Sequence, residues 1–366
     1  MIILFIIPAL ILLFLWIRFY GRICGYKFSA EISFSDDHIY AGSETTLSEI
    51  VENRKSFPIH AVTIRFLIPR GIEFIDAENT SFSDHTYKKD VFSMAGMESI
   101  RRNYRVLGVK RGFYRVTEPE ARFRSLLNLH VYGKDFEKSG DAVLGSIRVY
   151  AANRDVSDIM KPVDAILGSL ETIRGIYEDP FAFASIREYT PTDPLKSVNW
   201  KASAKTGELM VNTFFSTASP TAEVYLDVTE TDRDGEKDLT EESIALAASV
   251  VRVLVKHGLK VVFAVNASTD DKGFTVFTET TGRKVLKDIE EFLTSDFSNL
   301  KKTAYEELIN TEDISKETPG ITLYISKNIR DIEGFNCPKG DRDGGKICVT
   351  PYRQGSGISR KIHVLS

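Results

Sequence analysis

The hydrophobic pattern changes character three times along the chain. Residues 1–17 form an apolar run without a charge, closed by Arg18 and extended by Phe19 and Tyr20. That length lies at the short end of the ~17–25 residues that span a bilayer. Trp16 and Tyr20 sit where interfacial aromatics belong. A cleaved signal peptide is the rival reading, but no basic segment precedes the run and no Ala-x-Ala site follows it. The pattern therefore predicts an uncleaved single-pass cell-membrane anchor over residues 1–22. Arg18, Arg22 and Lys27 all follow the apolar run, so the positive-inside rule places the bulk of the chain in the cytoplasm.

From 28 to 124 the period is two. Short alternating runs at 30–34, 45–51, 61–68, 91–94, 99–107 and 112–116 are separated by turn-forming residues at 53–58, 69–71 and 110–112. This spacing predicts an antiparallel β-sandwich. Residues 125–185 are expected to be linker and connecting elements, with a strand at 146–151 and a mixed helical pattern at 155–166. In 186–366, buried-type strands at 222–228, 260–265, 321–326 and 347–350 alternate with helices from Thr240 and over 282–293 and 305–309, and a last edge strand covers 361–365. Such alternation predicts a mainly parallel, Rossmann-like sheet covered on both faces. No glycine-rich phosphate loop follows its first strand.

The passage from Arg187 to Phe215 joins the two patterns. Ile186-Arg187-Glu188-Tyr189 alternates as a strand does, and Pro191-Thr192-Asp193-Pro194 breaks it. Asp193 is expected to cap a helix with Pro194 in its first turn, Leu195, Val198 and Ala202 on one face and Gly207 at its end. Trp200 on that helix reads first as a packing anchor, and Arg187 or Lys205 as a partner for a carboxylate or a helix end. A docking surface built from polar residues on a rigid turn is the functional alternative.

Arg187, Glu188, Tyr189, Pro191, Asp193, Trp200, Ser203, Ala204, Lys205, Gly207, Leu209 and Val211 stand in the order of the signature of the family called domain of unknown function 58, which this passage resembles. Thr192 stands where that family usually has glycine. Lys110-Arg111-Gly112-Phe113-Tyr114 resembles its hairpin, whereas its Asp-Pro-Phe-Gly-Leu turn has only Ser125-Leu126-Leu127-Asn128-Leu129 as a counterpart. The resemblance implies a partner class, MoxR-type AAA+ ATPases with their client proteins, and brings no established activity. Arg187, Tyr189, Asp193, Trp200, Ser203 and Lys205 are the interaction residues it suggests.

Composition narrows the chemistry. The chain is 43% hydrophobic and 27% charged, with a net charge of −4, which gives no general attraction to nucleic acid. Three cysteines lie far apart and six histidines are scattered, so neither a thiolate zinc site nor a hydrolase motif is present. Asp227-Val228-Thr229-Glu230-Thr231 closes the first α/β strand and resembles the Asp-x-Ser-x-Ser motif of von Willebrand factor A domains. That resemblance makes Asp227, Thr229 and Thr231 candidate Mg²⁺ ligands, with Thr278, Thr280 or Thr281 as a distant hydroxyl. Lys327 opposes a cation, and the plain alternative is that Asp227 and Thr229 only cap a turn. The expected fold is thus an α+β multidomain chain: an anchor, a β-sandwich over 28–124, and a von Willebrand factor A-like α/β domain within 186–366. The expected function is that of a non-enzymatic, membrane-anchored interaction or assembly factor with a degenerate metal-ion-dependent adhesion-type site. A metal-dependent hydrolase and an extracytoplasmic adhesin are the alternatives.

Overall fold

A computed structural model gives the fold and describes all residues except 1, 76–79, 83–84, 126–130, 175–182, 192, 194, 215–220, 231–235, 279–282, 312–319, 329–344, 356 and 366. The chain is a mixed α+β protein that divides into two compact units, one of residues 1–152 with 290–295, the other of 153–289 with 296–366.

In the first unit, helix Ile2–Ile23 contains an 18-residue window, Ile6–Ile23, apolar enough to cross a membrane and unburied along its length. Two five-stranded sheets follow. One runs in the order Ala142–Leu144, Phe28–Phe34, Glu44–Asn53, Glu98–Gly108 and Ile72–Phe74; the other runs Val131–Asp135, Thr117–Arg124, Ile59–Pro69, His85–Met94 and Thr80–Phe82. Their inward side chains share one core, with Phe28, Ile32, Leu47 and Val51 from the first sheet and Ile64, Phe66, Phe92 and Phe123 from the second. Alternation drives this: Glu44–Asn53 buries every second residue, so Thr45, Leu47, Glu49, Val51 and Asn53 face the core while the residues between them are partly open to water.

Several strands of these sheets depart from the sequence reading. Thr117–Arg124 falls in no predicted run, because Pro119 and flanking glutamates mask it; its pairing shifts register between Thr117 and Glu120, and an irregularity of this kind admits a proline. Val131–Asp135 and Ala142–Leu144, expected as linker, instead edge the two sheets, with alternate residues exposed as suits strands open to solvent on one face.

The core also holds charge. Glu49, Lys88 and Asp90 are all buried. The Tyr104 hydroxyl lies 3.0 Å from Glu49 Oε2 and 2.9 Å from Asp90 Oδ2. Arg102 donates to Asp90 Oδ1 at 3.0 Å, and Lys88 stands 3.8 Å from Asp90 while lying over the Tyr104 ring. A single phenolic proton cannot serve both carboxylates. Burial, then the Asp90 charge, push Glu49 up to about 8. Its own proton then completes the chain from Glu49 through Tyr104 to Asp90, and Lys88 and Arg102 balance Asp90 alone.

The second unit is built on a six-stranded sheet, ordered Thr275–Phe277, Lys260–Val265, Thr221–Leu226, Ile321–Ile325, Gly345–Gln354 and Gly357–Leu365. The four middle strands are parallel and the two outer ones antiparallel. All of Thr221–Leu226 and Ile321–Ile325 is buried, the polar Thr221, Glu223 and Thr322 included, as strands covered on both faces of a parallel sheet are. Helix Tyr305–Asn310 sends Leu308 and Ile309 onto a face made by Tyr225, Val262, Tyr324 and Cys348. Helices Glu236–Lys256 and Ser157–Arg174 also pack on these strands. Arg360 ties the last strand to the latter helix by a bond to Asp158 Oδ2 at 2.7 Å.

Candidate functional site

Two places in the second unit carry the residues that the sequence singles out. The first is a hairpin. Strand Phe183–Glu188 pairs antiparallel with Met210–Phe214, Arg187 opposite Val211 and Glu188 opposite Met210. The segment between them is not the helix that the spacing predicts. Leu195–Ser197 is a single 3₁₀ turn, Val198 pairs with Val211 as an isolated bridge, and the helix is Trp200–Thr206. Its cap is Asn199, whose Oδ1 accepts from Ala202 N at 3.0 Å, and not Asp193. It ends at Gly207, whose φ of 82° is open to glycine without strain.

Asp193 has a different task. Arg187 grips it with two parallel bonds, Nη1 to Oδ2 at 2.7 Å and Nη2 to Oδ1 at 2.6 Å, while the Thr190 N–H and hydroxyl donate to Oδ2 at 2.9 and 2.8 Å. The guanidinium first, then the two Thr190 donors, hold the Asp193 carboxyl well below the usual carboxylate range. Ser203 closes the other side: its hydroxyl donates to Asn199 O at 2.9 Å and accepts from Met210 N at 2.8 Å. Asn199 Nδ2 reaches Asn212 Oδ1 at 2.7 Å, and Tyr189 N donates to Leu209 O at 2.9 Å. The signature thus splits in two. Arg187, Asp193, Ser203 and Gly207 frame the loop, together with Asn199, which sequence reasoning passed over although an Asn three residues before Ala202 is a cap signal.

Of the remaining signature residues Val211 is buried, while Glu188, Pro191, Trp200, Ala204, Lys205 and Leu209 face outward. Trp200 is 68% exposed, which corrects its reading as a packing anchor: the helix that carries it is two turns long and has no buried residue. Ile186, Leu195 and Leu209 are exposed too, while Tyr189 is half-buried. Lys196, Lys201 and Lys205 are exposed, the last two one helical turn apart on one face.

The second place is the carboxyl edge of the parallel sheet. Three neighbouring strands each end in a polar residue: Asp227 follows Leu226, Asn266 follows Val265, and Ser326 follows Ile325. Asp227 is 1% exposed, and its carboxylate is fully engaged. Oδ1 accepts from Thr229 N and Asn266 Nδ2, both at 2.9 Å; Oδ2 accepts from Ser326 Oγ at 2.6 Å and Asn328 Nδ2 at 2.8 Å. Asn266 is oriented by its own oxygen, which accepts from Val228 N at 2.8 Å, so its amide nitrogen faces both Asp227 and Thr229 Oγ1. Tyr305, its hydroxyl on Tyr225 O at 3.0 Å, is raised well above the ordinary phenol range by burial and then by the Asp227 charge.

This donor set does not fit Mg²⁺. A hard cation needs lone pairs, and here N–H and O–H groups aim at both carboxylate oxygens, while the Thr229 hydroxyl accepts from an amide. The expected ligand Thr231 lies outside the described residues, as do Thr280 and Thr281. Beside Lys327, which opposes a cation, Asn328 supplies an amide donor. Among the described residues no group of three or more His, Cys, Asp or Glu side chains gathers as a metal site. Asn266, Ser326 and Asn328 escaped the sequence reading, yet each stands within three residues after a buried strand, where such an edge draws its polar groups.

These geometries describe an α+β chain with an exposed hairpin surface and a buried polar hub at a sheet edge. Residues 185–313 match the family described as protein of unknown function DUF58. The uncharacterized protein YeaD of Bacillus subtilis (strain 168) is 22% identical over 232 residues, 63% of this chain; the chain spans only 54% of that relative's length. Among solved structures, a CARDB domain of Pyrococcus furiosus determined with di-metal ions covers 33% of this chain and 91% of its own, at 15% identity and a TM-score of 0.23. A non-cellulosomal cohesin of Archaeoglobus fulgidus covers 37% and 97%, at 11% identity and a TM-score of 0.21.

Proposed function

We propose that this chain is a membrane-anchored interaction factor that docks a partner protein through the outer surface of the Arg187–Val211 hairpin. The observation that carries this reading is the exposure of Trp200 on a helix whose backbone is fixed on both sides, by the Arg187–Asp193 pair and by the Ser203 and Asn199 bonds. A rigid loop that presents an indole to water is costly unless something covers it, and tryptophan is among the residues that most often dominate binding energy. Lys196, Lys201 and Lys205 around it suit an acidic partner surface.

The partner class is the one the family resemblance implies, a MoxR-type AAA+ ATPase, with assembly of its client proteins as the outcome. Arg18, Arg22 and Lys27 following the apolar helix favour a cytoplasmic location for both units, within reach of such an ATPase. The second unit is read as von Willebrand factor A-like, with the Asp227 hub as a degenerate adhesion-type site in which neutral donors stand where a cation would. Docking is then independent of metal.

Capture from detergent-solubilised membranes tests the surface. The intact chain is expected to retain a MoxR-type ATPase, and Trp200→Ala to lose it while leaving the hairpin folded, because no framing bond involves the indole. Equal retention by both proteins rejects the surface.

A further inference from the structure

We infer that the first unit carries a second membrane attachment: the rim of its β-sheets where the apolar helix emerges is built to sit in the headgroup layer of an anionic phospholipid bilayer. This rests on reading Ile2–Ile23 as a membrane span.

The helix does not simply trail from the β-unit; it is bolted to it. Tyr132 Oη donates to Ile17 O at 2.5 Å, Tyr20 Oη donates to Arg124 O at 3.3 Å, and the two tyrosine rings pack at 6.2 Å. Buried Lys55 donates to Ile23 O at 3.1 Å and to Cys24 O, placing its charge at the negative end of the helix. Lys134 donates to Gly25 O and Phe28 O, both at 2.8 Å.

These contacts fix depth. Ile17 ends the uncharged run and Arg18 follows, so the Ile17 carbonyl marks the boundary between hydrocarbon and headgroups. Tyr132 reaches that carbonyl from strand Val131–Asp135, which places Val131 and its neighbours at the same level. The rim then runs across the sheets by register. Arg124 lies opposite both Val131 and Ala61, Ile59 opposite Met94, and in the other sheet Asn53 lies opposite Phe28 and Glu98.

The turns on this rim are rigid and present apolar tips. Asn53 Nδ2 donates to Phe57 O at 2.9 Å and to Ala95 O at 2.7 Å, and Met97 N donates to Lys55 O at 2.9 Å. Gly96 packs so closely on Ser56 that a Cβ would strike its carbonyl. Arg54 N donates to Lys27 O at 2.9 Å, tying the first turn to the helix exit. On this frame Tyr26 is 61% exposed, Phe57 57% and Met97 73%, and Val131, opposite Arg124, is 51% exposed. Arg22, Lys27, Arg54 and Arg124 are exposed on the same rim. Its acids are engaged within it: Glu52 by Arg54, and Glu98 by the Ala95 N–H. Apolar and aromatic tips among arginine and lysine are the composition that partitions into an anionic interface.

Tryptophan quenching by brominated acyl chains tests this with the full chain reconstituted into phosphatidylcholine vesicles, with or without phosphatidylglycerol. Trp16→Phe/Trp200→Phe/Phe57→Trp reports on the rim, and Trp200→Phe, which keeps Trp16, reports on the helix. With phosphatidylglycerol present, both are expected to lose about half of their emission in brominated vesicles. Adding Lys27→Glu and Arg54→Glu restores emission from the rim probe only. A quenched Trp16 beside an unquenched rim probe overturns the rim attachment and leaves the anchor standing. An unquenched Trp16 removes the anchor, and the rim inference with it. Equal rim quenching without phosphatidylglycerol overturns the role of anionic lipid.

Discussion

Raising the pH from 5 to 9 is expected to weaken the first unit by on the order of 4 kcal/mol, and Glu49→Gln to abolish most of that loss. Glu49 titrates at about 8 in the fold against an ordinary value of 4.5, because burial first and the Asp90 charge second disfavour its anion. Between those values the folded chain holds a proton that the unfolded chain has released, so stability falls as pH rises through the window. Below it both states are protonated and the contribution is fully present; above about 8 it is gone. Glutamine cannot ionise and can still donate to Tyr104, so the variant keeps the hydrogen-bonded chain to Asp90 at every pH. Hydrogen exchange in strands Glu44–Asn53 and Glu98–Gly108 reads the effect locally: after correction for intrinsic rates, protection in the wild type falls by roughly a thousandfold and in the variant stays level. A flat profile in the wild type contradicts the neutral Glu49.

Asp227→Ala is expected to destabilise the second unit by about 3 kcal/mol and to lower its melting temperature by roughly 6–12 °C. The substitution removes the acceptor of the Thr229 N–H, the Asn328 amide and the Ser326 hydroxyl at a buried edge, and one of the acceptors of the Asn266 amide. Asp227→Asn is expected to rescue only part of the loss, because its own N–H₂ then faces one of the two amide donors. Neither Mg²⁺ nor a chelator is expected to move the wild-type melting temperature. A metal-dependent rise that Asp227→Ala abolishes contradicts the hub of neutral donors.

Periodicity carried much of the architecture. Continuous apolar runs at 260–265 and 321–326 became parallel strands, because a strand buried on both faces needs no polar alternation. Thr117–Arg124 stayed hidden because Pro119 argues against a strand unless a bulge accommodates it, and a bulge is set by the partner strand. The site was less legible. Asp227 stood out, but its partners Asn266 and Ser326 come from strands far along the chain, and only the sheet order makes them neighbours. Residue types also left the metal question open: whether Asn266 offers oxygen or nitrogen to Asp227 depends on the Val228 N–H that orients it. At the signature, the spacing of Leu195, Val198 and Ala202 imitates one helix, whereas the bridge from Val198 to Val211 forces a break and Asn199 restarts the chain. That break is why Trp200 reaches solvent.

The most direct measurement is the equilibrium affinity of a purified MoxR-type ATPase for the full chain in anionic nanodiscs, compared with Trp200→Ala and with chelator present. Docking through the hairpin predicts that losing the indole costs about 2 kcal/mol, roughly a thirtyfold rise in Kd, and that chelation changes nothing. Equal affinity for wild type and Trp200→Ala, or binding that collapses on chelation, contradicts metal-independent docking through this surface.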